Sequence, residues 1–245
     1  MKIAIISDIH SNLEAFESVL KKIEKIDADS IYCLGDIVGY NANPNECVEI
    51  IREREIPSLM GNHDRVACGI EEPIFFNPVA REAVLWTRGE LSQKNRDFLC
   101  QLPEKMNISN EILCVHGSPR DADEYIFGEA TAEKCLNYLE DYEIGIKICF
   151  FVHTHFKAAY STANISPSEG SKIKFHLKEN YIYLINPGSV GQPRDRDWRA
   201  SFVVFDSEKK LITYYLEEYD VEKTAEKIRK KELPLYLAER LFEGK

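Results

Sequence analysis

Five of the six histidines in this chain sit in short polar motifs, each at the end of a run that reads as a β-strand. In chain order the motifs are Asp8-Ile9-His10, Gly35-Asp36, Gly61-Asn62-His63-Asp64, His116-Gly117 and His153-Thr154-His155; only His176 falls outside them. Imidazole and carboxylate are borderline-to-hard ligands that suit Mn, Fe, Zn or Ni. One strand-end cluster is commonplace, but five of them, offering seven ligands, point to a centre of two metal ions.

Distant ligands converge only if the elements carrying them end on one edge. The first sixty residues alternate strand and helix. Ile3 to Ile6 is a continuous apolar run of the kind buried on both faces of a sheet. Asn12 is placed to cap a helix whose apolar residues Leu13, Phe16, Val19, Leu20, Ile23 and Ile26 fall on one stripe. Ile31 to Leu34 reads as a second strand. Asn43-Pro44 starts a second helix, which turns Val48 and Ile51 inward, and Pro57 to Met60 reads as a third strand. This alternation implies right-handed crossovers and a largely parallel sheet, and strand-to-helix loops of such sheets gather at the C-terminal edge.

Residues 66–104 differ. Asn77 to Leu91 and Ser92 to Leu102 read as two helices closed by Pro103, and the stretch is expected to be an accessory insertion. Glu71 to Phe76 reads as a packed loop burying Phe75 and Phe76, or else as a flap. Beyond it the expected elements are a strand at Ile112 to Val115, a helix at Thr131 to Tyr142 and a strand at Ile146 to Val152. Strands at Tyr181 to Ile185, Ser201 to Phe205 and Leu211 to Leu216 follow, the last two antiparallel across a Ser207–Lys210 turn. Residues 162–171 are rich in Ser, Pro and Gly and read as a loop. From Val221 the chain reads as helical, charged and broken at Pro234, with its charges on a solvated face. The whole of residues 1–245 is expected to form one α/β domain with two sheet layers.

The net charge of −10 argues against stable nucleic-acid binding, whose affinity comes from Lys and Arg. It does not exclude a phosphorylated substrate, because bound cations would dominate the local field. The seven cysteines are odd in number and contain no C-x-x-C, so they read as reduced core thiols in a cytoplasmic protein. No stretch suits a signal peptide or a membrane span. A homodimer is the default assembly.

The ordered set Asp8-x-His10, Gly35-Asp36-x-x-Gly39, Gly61-Asn62-His63-Asp64, His116-Gly117 and His153-x-His155 resembles that of the calcineurin-like metallophosphoesterase superfamily over roughly residues 1–205. Gly39-Tyr40-Asn41, His116-Gly117-Ser118-Pro119-Arg120 and Asn186-Pro187-Gly188-Ser189 resemble its small prokaryotic branch, which includes phosphodiesterases. The resemblance implies a four-layer αββα sandwich of two mixed sheets with the metal site at the C-terminal strand edge. It also implies roles. Asp8, His10 and His155 would hold one ion, Asn62, His116 and His153 the other, and Asp36 would bridge them, one oxygen to each. His63 would face the substrate as general acid or phosphate-binding group, oriented by donating a hydrogen bond to the Asp64 carboxylate. The family's last motif usually has glycine where this chain has Val152; both histidines remain, so ligation is kept.

The activity implied is hydrolysis of small or nucleotide-like phosphodiesters by a hydroxide held between two divalent ions, Mn²⁺ first among Mn, Fe, Ni and Zn. The runner-up is a phosphomonoesterase, including a protein Ser/Thr phosphatase; a non-catalytic binding module would be expected to lack ligands, and none is missing. Asn12, Tyr40, Asn41 and Arg194 are the expected substrate contacts, with helix capping the competing role for Asn12. Arg120 reads as a solvated or structural arginine and Ser189 as a turn residue.

Overall fold

The computed structural model describes residues 1–163 and 174–245, so most of the expected 162–171 loop lies outside the described residues. In chain order the elements are β1 (Lys2–Ile6), α1 (Leu13–Ile26), β2 (Ser30–Cys33), α2 (Pro44–Glu53), α3 (Asn62–Cys68), α4 (Pro78–Glu90), α5 (Gln93–Leu99), β3 (Lys105–Ser109) and β4 (Ile112–Val115). They continue with α6 (Gly128–Tyr142), β5 (Ile148–Phe150), β6 (Lys157–Ser161), β7 (Lys174–His176), β8 (Tyr183–Pro187), β9 (Ala200–Asp206), β10 (Leu211–Glu217), α7 (Val221–Lys230) and α8 (Leu235–Glu243).

Two five-stranded sheets result, ordered β2-β1-β9-β10-β7 and β3-β4-β5-β8-β6. Both are mixed: β1 and β2 are parallel and β9 and β10 antiparallel in the first, while β4, β5 and β8 are parallel with antiparallel flanks in the second. Side chains alternate across each strand. Ile3 and Ile5 of β1 therefore face an inter-sheet core with Val203, Phe205, Cys114, Phe150 and Ile185. Ala4 and Ile6 face outward, under Phe16, Val19, Leu20 and Ile23 of α1 and Val48 and Ile51 of α2. On the far side Leu113, Cys149 and Leu184 pack beneath Ala132, Cys135, Leu136 and Leu139 of α6. The layers run helix, sheet, sheet, helix, as the resemblance implied.

Local structure departs from expectation in five places. Pro57 to Met60 is not a strand: it makes one parallel bridge, Cys33 to Ser58, because Pro57 has no N–H to extend the ladder and Met60 turns away to donate to Pro103. Residues 62–68 are helical where no helix was expected. Strands β3, β6 and β7 were also not expected; in β3 only Met106 and Ile108 turn inward from an edge. The Pro73 turn sends Phe75 fully outward at 98% exposure, while Phe76 packs inward. Finally, the charged tail has an apolar face: Ala225, Ile228, Leu237, Ala238 and Leu241 build a small core with Ala80 and Ala83 of α4 and with Tyr40.

Candidate metal centre

Each motif lies on the loop just past a strand end or, for the third, at a helix start. Asp8 and His10 follow β1, Asp36 follows β2, Asn62 and His63 open α3, His116 follows β4, and His153 and His155 follow β5. The loops are tied to one another by backbone bonds, Asp8 N–H to Gly35 O at 3.0 Å, His10 N–H to Asp36 O at 2.9 Å and Gly191 N–H to Asp8 O at 2.8 Å. Asp8, His10, Asp36, Tyr40, His153 and His155 all have positive φ, a conformation that non-glycine residues keep only where the surroundings impose it.

Two donor groups form, both buried. Asp8, His10, Asp36 and His155 offer one atom each within 4.8 Å of one another, and Asp36, His116 and His153 do the same. The nearest separations are 3.3 Å for His10 Nε2 to His155 Nε2, 3.5 Å for His155 Nε2 to Asp8 Oδ1, 3.5 Å for His10 Nε2 to Asp36 Oδ2 and 3.4 Å for His116 Nε2 to Asp36 Oδ2. Asn62 Oδ1 stands 3.3 Å from His116 Nε2. Donors bound to one ion at about 2.1 Å lie about 3.0–3.4 Å apart in octahedral or tetrahedral geometry, so these spacings suit a shared cation.

The tautomers sharpen the point. Nδ1 of His10, His116 and His155 each faces a carbonyl, of Val38 at 3.0 Å, Leu34 at 2.8 Å and Gln192 at 2.5 Å. A carbonyl only accepts, so Nδ1 carries the proton and Nε2 is a bare lone pair in the neutral ring. Burial first of all drives the pKa of His10 and His155 well below the ordinary range. Their Nε2 atoms therefore meet as two lone pairs, not as donor and acceptor. Both Asp8 oxygens are buried without a hydrogen-bond donor, and Asp36 Oδ2 faces only the Nε2 atoms of His116 and His10, at 3.4 and 3.5 Å. Such groups are costly unless a cation sits among them, and the donor set fits divalent ions.

Charge is shared unevenly. Burial raises the Asp8 carboxyl to about 8, with Asp36 adding to the rise and His116 opposing it. Burial also acts to raise Asp36, but His116 and His63 outweigh it and hold that carboxyl well below the ordinary range. Asp36 in turn lifts His116 to about 9 against burial. Burial lowers His153 to about 3 and His63 to about 4.

Two expected roles change. Asp36 Oδ1 accepts the His63 backbone N–H at 2.9 Å, and it is Oδ2 that faces the Nε2 atoms of both donor groups, where one oxygen to each was expected. Asp64 does not hydrogen-bond the His63 ring: its oxygens accept the N–H groups of Val38 and Gly61, which fixes the turn into α3. His63 is held instead between the rings of Tyr40 at 4.5 Å, Phe76 at 4.7 Å and His10 at 4.8 Å, with Gly39 beneath it.

The expected substrate contacts divide. Asn12 is fully buried; its carboxamide caps α1 through Ala15 N–H, accepts from Thr224 and donates to Gly191 O, leaving nothing for a substrate. Asn41 is buried and donates to His10 O at 2.7 Å, so it holds the first motif. Tyr40 lies against His10 and His63, and its hydroxyl accepts from Arg194 at 3.1 Å. Arg194 has no ion-pair partner among the described residues, and its Nε is buried without an acceptor. Arg120 pairs with Glu124, and Ser189 donates to Asp8 O. Val152 is buried in the inter-sheet core and displaces neither flanking histidine from the donor group. Sequence reading gave no site role to Phe76, to Arg240 near Tyr40, to Tyr125, which stacks on His153, or to Phe127 and Phe156, which continue from Tyr125. No motif or periodicity marks the others; Phe156 alone carried a signal, as the residue after His155.

Comparison with known proteins agrees. The model of the calcineurin-like phosphoesterase superfamily domain matches residues 1–210. An uncharacterised protein of Methanocaldococcus jannaschii is 42% identical over 249 residues, covering 99% of this chain and 98% of that one. The crystal structure of a metallophosphoesterase from Sphaerobacter thermophilus is 37% identical with a TM-score of 0.86, covering 100% of this chain and 99% of that one. A hypothetical protein from Pyrococcus horikoshii shares the fold at 20% identity and a TM-score of 0.83, covering 100% and 98%.

Proposed function

The chain belongs to the calcineurin-like phosphoesterase superfamily, metal-dependent hydrolases of phosphoesters, and from that membership we propose that it cleaves small, nucleotide-like phosphodiesters with two divalent ions. The observation that carries the reading is the convergence of unpartnered carboxylate oxygens and bare imidazole nitrogens at coordination spacing. Asp8, His10 and His155 would hold one ion, Asn62, His116 and His153 the second, and Asp36 Oδ2 would serve both. When bound, the ions supply Lewis acidity toward the phosphoryl oxygens and a water acidic enough to attack at neutral pH. Mn²⁺ suits mixed N/O ligation without thiolate.

The chain's own groups do the rest. Burial keeps the free His63 imidazole neutral. A bound phosphoester's negative charge raises its affinity for a proton, so it donates a hydrogen bond to the ester and then the proton to the departing alkoxide. Arg194, without a carboxylate partner, supplies a guanidinium to a phosphoryl oxygen, and Tyr40 positions it. Residues 66–104 serve as an accessory segment that places Phe76 on His63.

Phosphomonoester hydrolysis is the second reading, favoured by one observation: Arg194 and Arg240 both lie over Tyr40, 5.8 and 5.5 Å from the ring centre, two cations suited to a dianion. No helix among the described residues is long and apolar enough to cross a membrane. The seven unpaired cysteines support the cytoplasmic assignment.

Initial rates on bis(p-nitrophenyl) phosphate and p-nitrophenyl phosphate, after Mn²⁺ loading, test the reading. Diester turnover is expected to dominate. His63→Asn is expected to lower kcat by about 10²–10⁴-fold with bound metal unchanged. Monoester turnover alone would move the reading to a phosphatase, and loss of metal in the variant would refute the role given to His63.

A further inference from the structure

Three aromatic rings lie uncovered beside the centre. Tyr125, Phe127 and Phe156 are 44, 56 and 39% exposed, yet they touch one another. Tyr125 stacks on His153 with ring centres 3.8 Å apart and planes 23° apart. Phe127 continues the stack, 5.6 Å from Tyr125 and 7° from parallel, and Phe156 stands edge-on to Phe127 at 5.9 Å and 80°. Exposed rings scattered singly need no explanation, but a contiguous group continuous with a metal-ligand histidine does.

The shelf is built to hold its shape. Ile126 is buried with the α6 residues Ala132, Cys135 and Leu136, while the rings of Tyr125 and Phe127 on either side of it stack outside, Phe127 in extended backbone. Their loop is locked: the Ser118 hydroxyl accepts from the N–H groups of Arg120 and Asp121 and donates to Glu124, which also pairs with Arg120, while Asp123 binds Arg65. The Phe156 backbone N–H donates to the Thr154 hydroxyl at 3.3 Å, which holds the turn that carries its ring. The near-parallel rings of Tyr125 and Phe127, with Phe156 edge-on beside Phe127, make an uncharged aromatic corner suited to one planar heteroaromatic group, and a pre-formed corner loses little ordering entropy on receiving it. Its three rings carry no charge for a second phosphate.

Resting on the reading that the centre takes a phosphoester, we propose that Tyr125, Phe127 and Phe156 form a stacking platform for the nucleobase of a nucleotide substrate whose phosphate lies at the metal centre. Base stacking on aromatic side chains is sequence-tolerant, so presence of a base matters more than its identity.

The test is calorimetric binding of adenosine 5′-monophosphate and ribose 5-phosphate to the Mn²⁺-loaded protein, with KM replacing the dissociation constant for either one it hydrolyses. The two share sugar and phosphate and differ by the base. The nucleotide is expected to bind about tenfold tighter or more. Phe127→Ala and Phe156→Ala, both at exposed positions, are expected to pull that ratio toward one, and Phe127→Trp to keep it. Equal binding by the wild type, or a ratio indifferent to both alanine variants, overturns the platform, the latter by placing the base elsewhere. A protein that prefers the nucleotide but hydrolyses no phosphoester refutes the proposed activity and leaves the platform standing.

Discussion

A Cβ at residue 39 would lie 2.4 Å from His63 Nδ1, and φ there is +101°, so glycine is required twice over. Gly39→Ala should push the imidazole off the centre and strain the backbone by about 1 kcal/mol or more. Turnover is expected to fall at least tenfold with metal content near wild type; unchanged turnover would show that His63 does not act from this position. At this scale the ligands were legible because their types and order survive in one dimension. The bond predicted from Asp64 to His63 was not, because adjacency in a motif says nothing about which way a side chain points. In the fold Asp64 reaches back to Gly61 and Val38, as an acid at the third position of a helix does. Asp36 turns one oxygen to a backbone N–H in the same way.

Among elements, the junction of α1 and α7 depends on one carboxylate. Glu14 is buried and pairs with Lys227 at 2.7 Å and Lys223 at 3.1 Å. Burial raises its pKa, but the two ammonium groups outweigh burial, and the net pKa lies below the ordinary 4.5. The folded state thus favours the charged form. Its contribution is whole above about 4.5 and is lost as pH falls through the lower folded-state value. Glu14→Gln should reduce stability at neutral pH and flatten the acid limb of a Tm-against-pH profile; an unaltered limb would mean the pair contributes nothing. Helix α1 was legible from its apolar stripe, and α4 and α7 as helices from their composition and flanking residues, but the apolar face of α7 was not. Strands β3, β6 and β7 were not, since β3 and β7 are half-polar edge strands and β6 also closes a sheet edge, where burial pattern weakens. Tyr125 and Phe127 sit in a loop, where no period exists to read.

Over the whole molecule, the centre lies where the two sheets' parallel strands end together, so an ion there ties β1 and β2 to β4 and β5. Chelation should lower Tm by about 5–10 °C, the size expected when a ligand held near 100 times its Kd is withdrawn from a domain of this length. Restoring Mn²⁺ should recover it; a Tm indifferent to chelator would argue that the donors bind no ion. The layered architecture was legible in outline because ligand loops must share an edge, but the return of α8 to Tyr40 depends on long-range packing alone. The Nδ1 tethers of His10, His116 and His155 run to carbonyls on loops from both sheets. They leave the rings no freedom to withdraw, which makes the cage a gauge of ionic radius. Calcium wants six to eight oxygens at about 2.3–2.6 Å, and here half of each donor set is imidazole nitrogen, spaced for a smaller ion. Millimolar calcium should therefore neither activate the apoprotein nor displace manganese, sparing the activity from swings in calcium concentration.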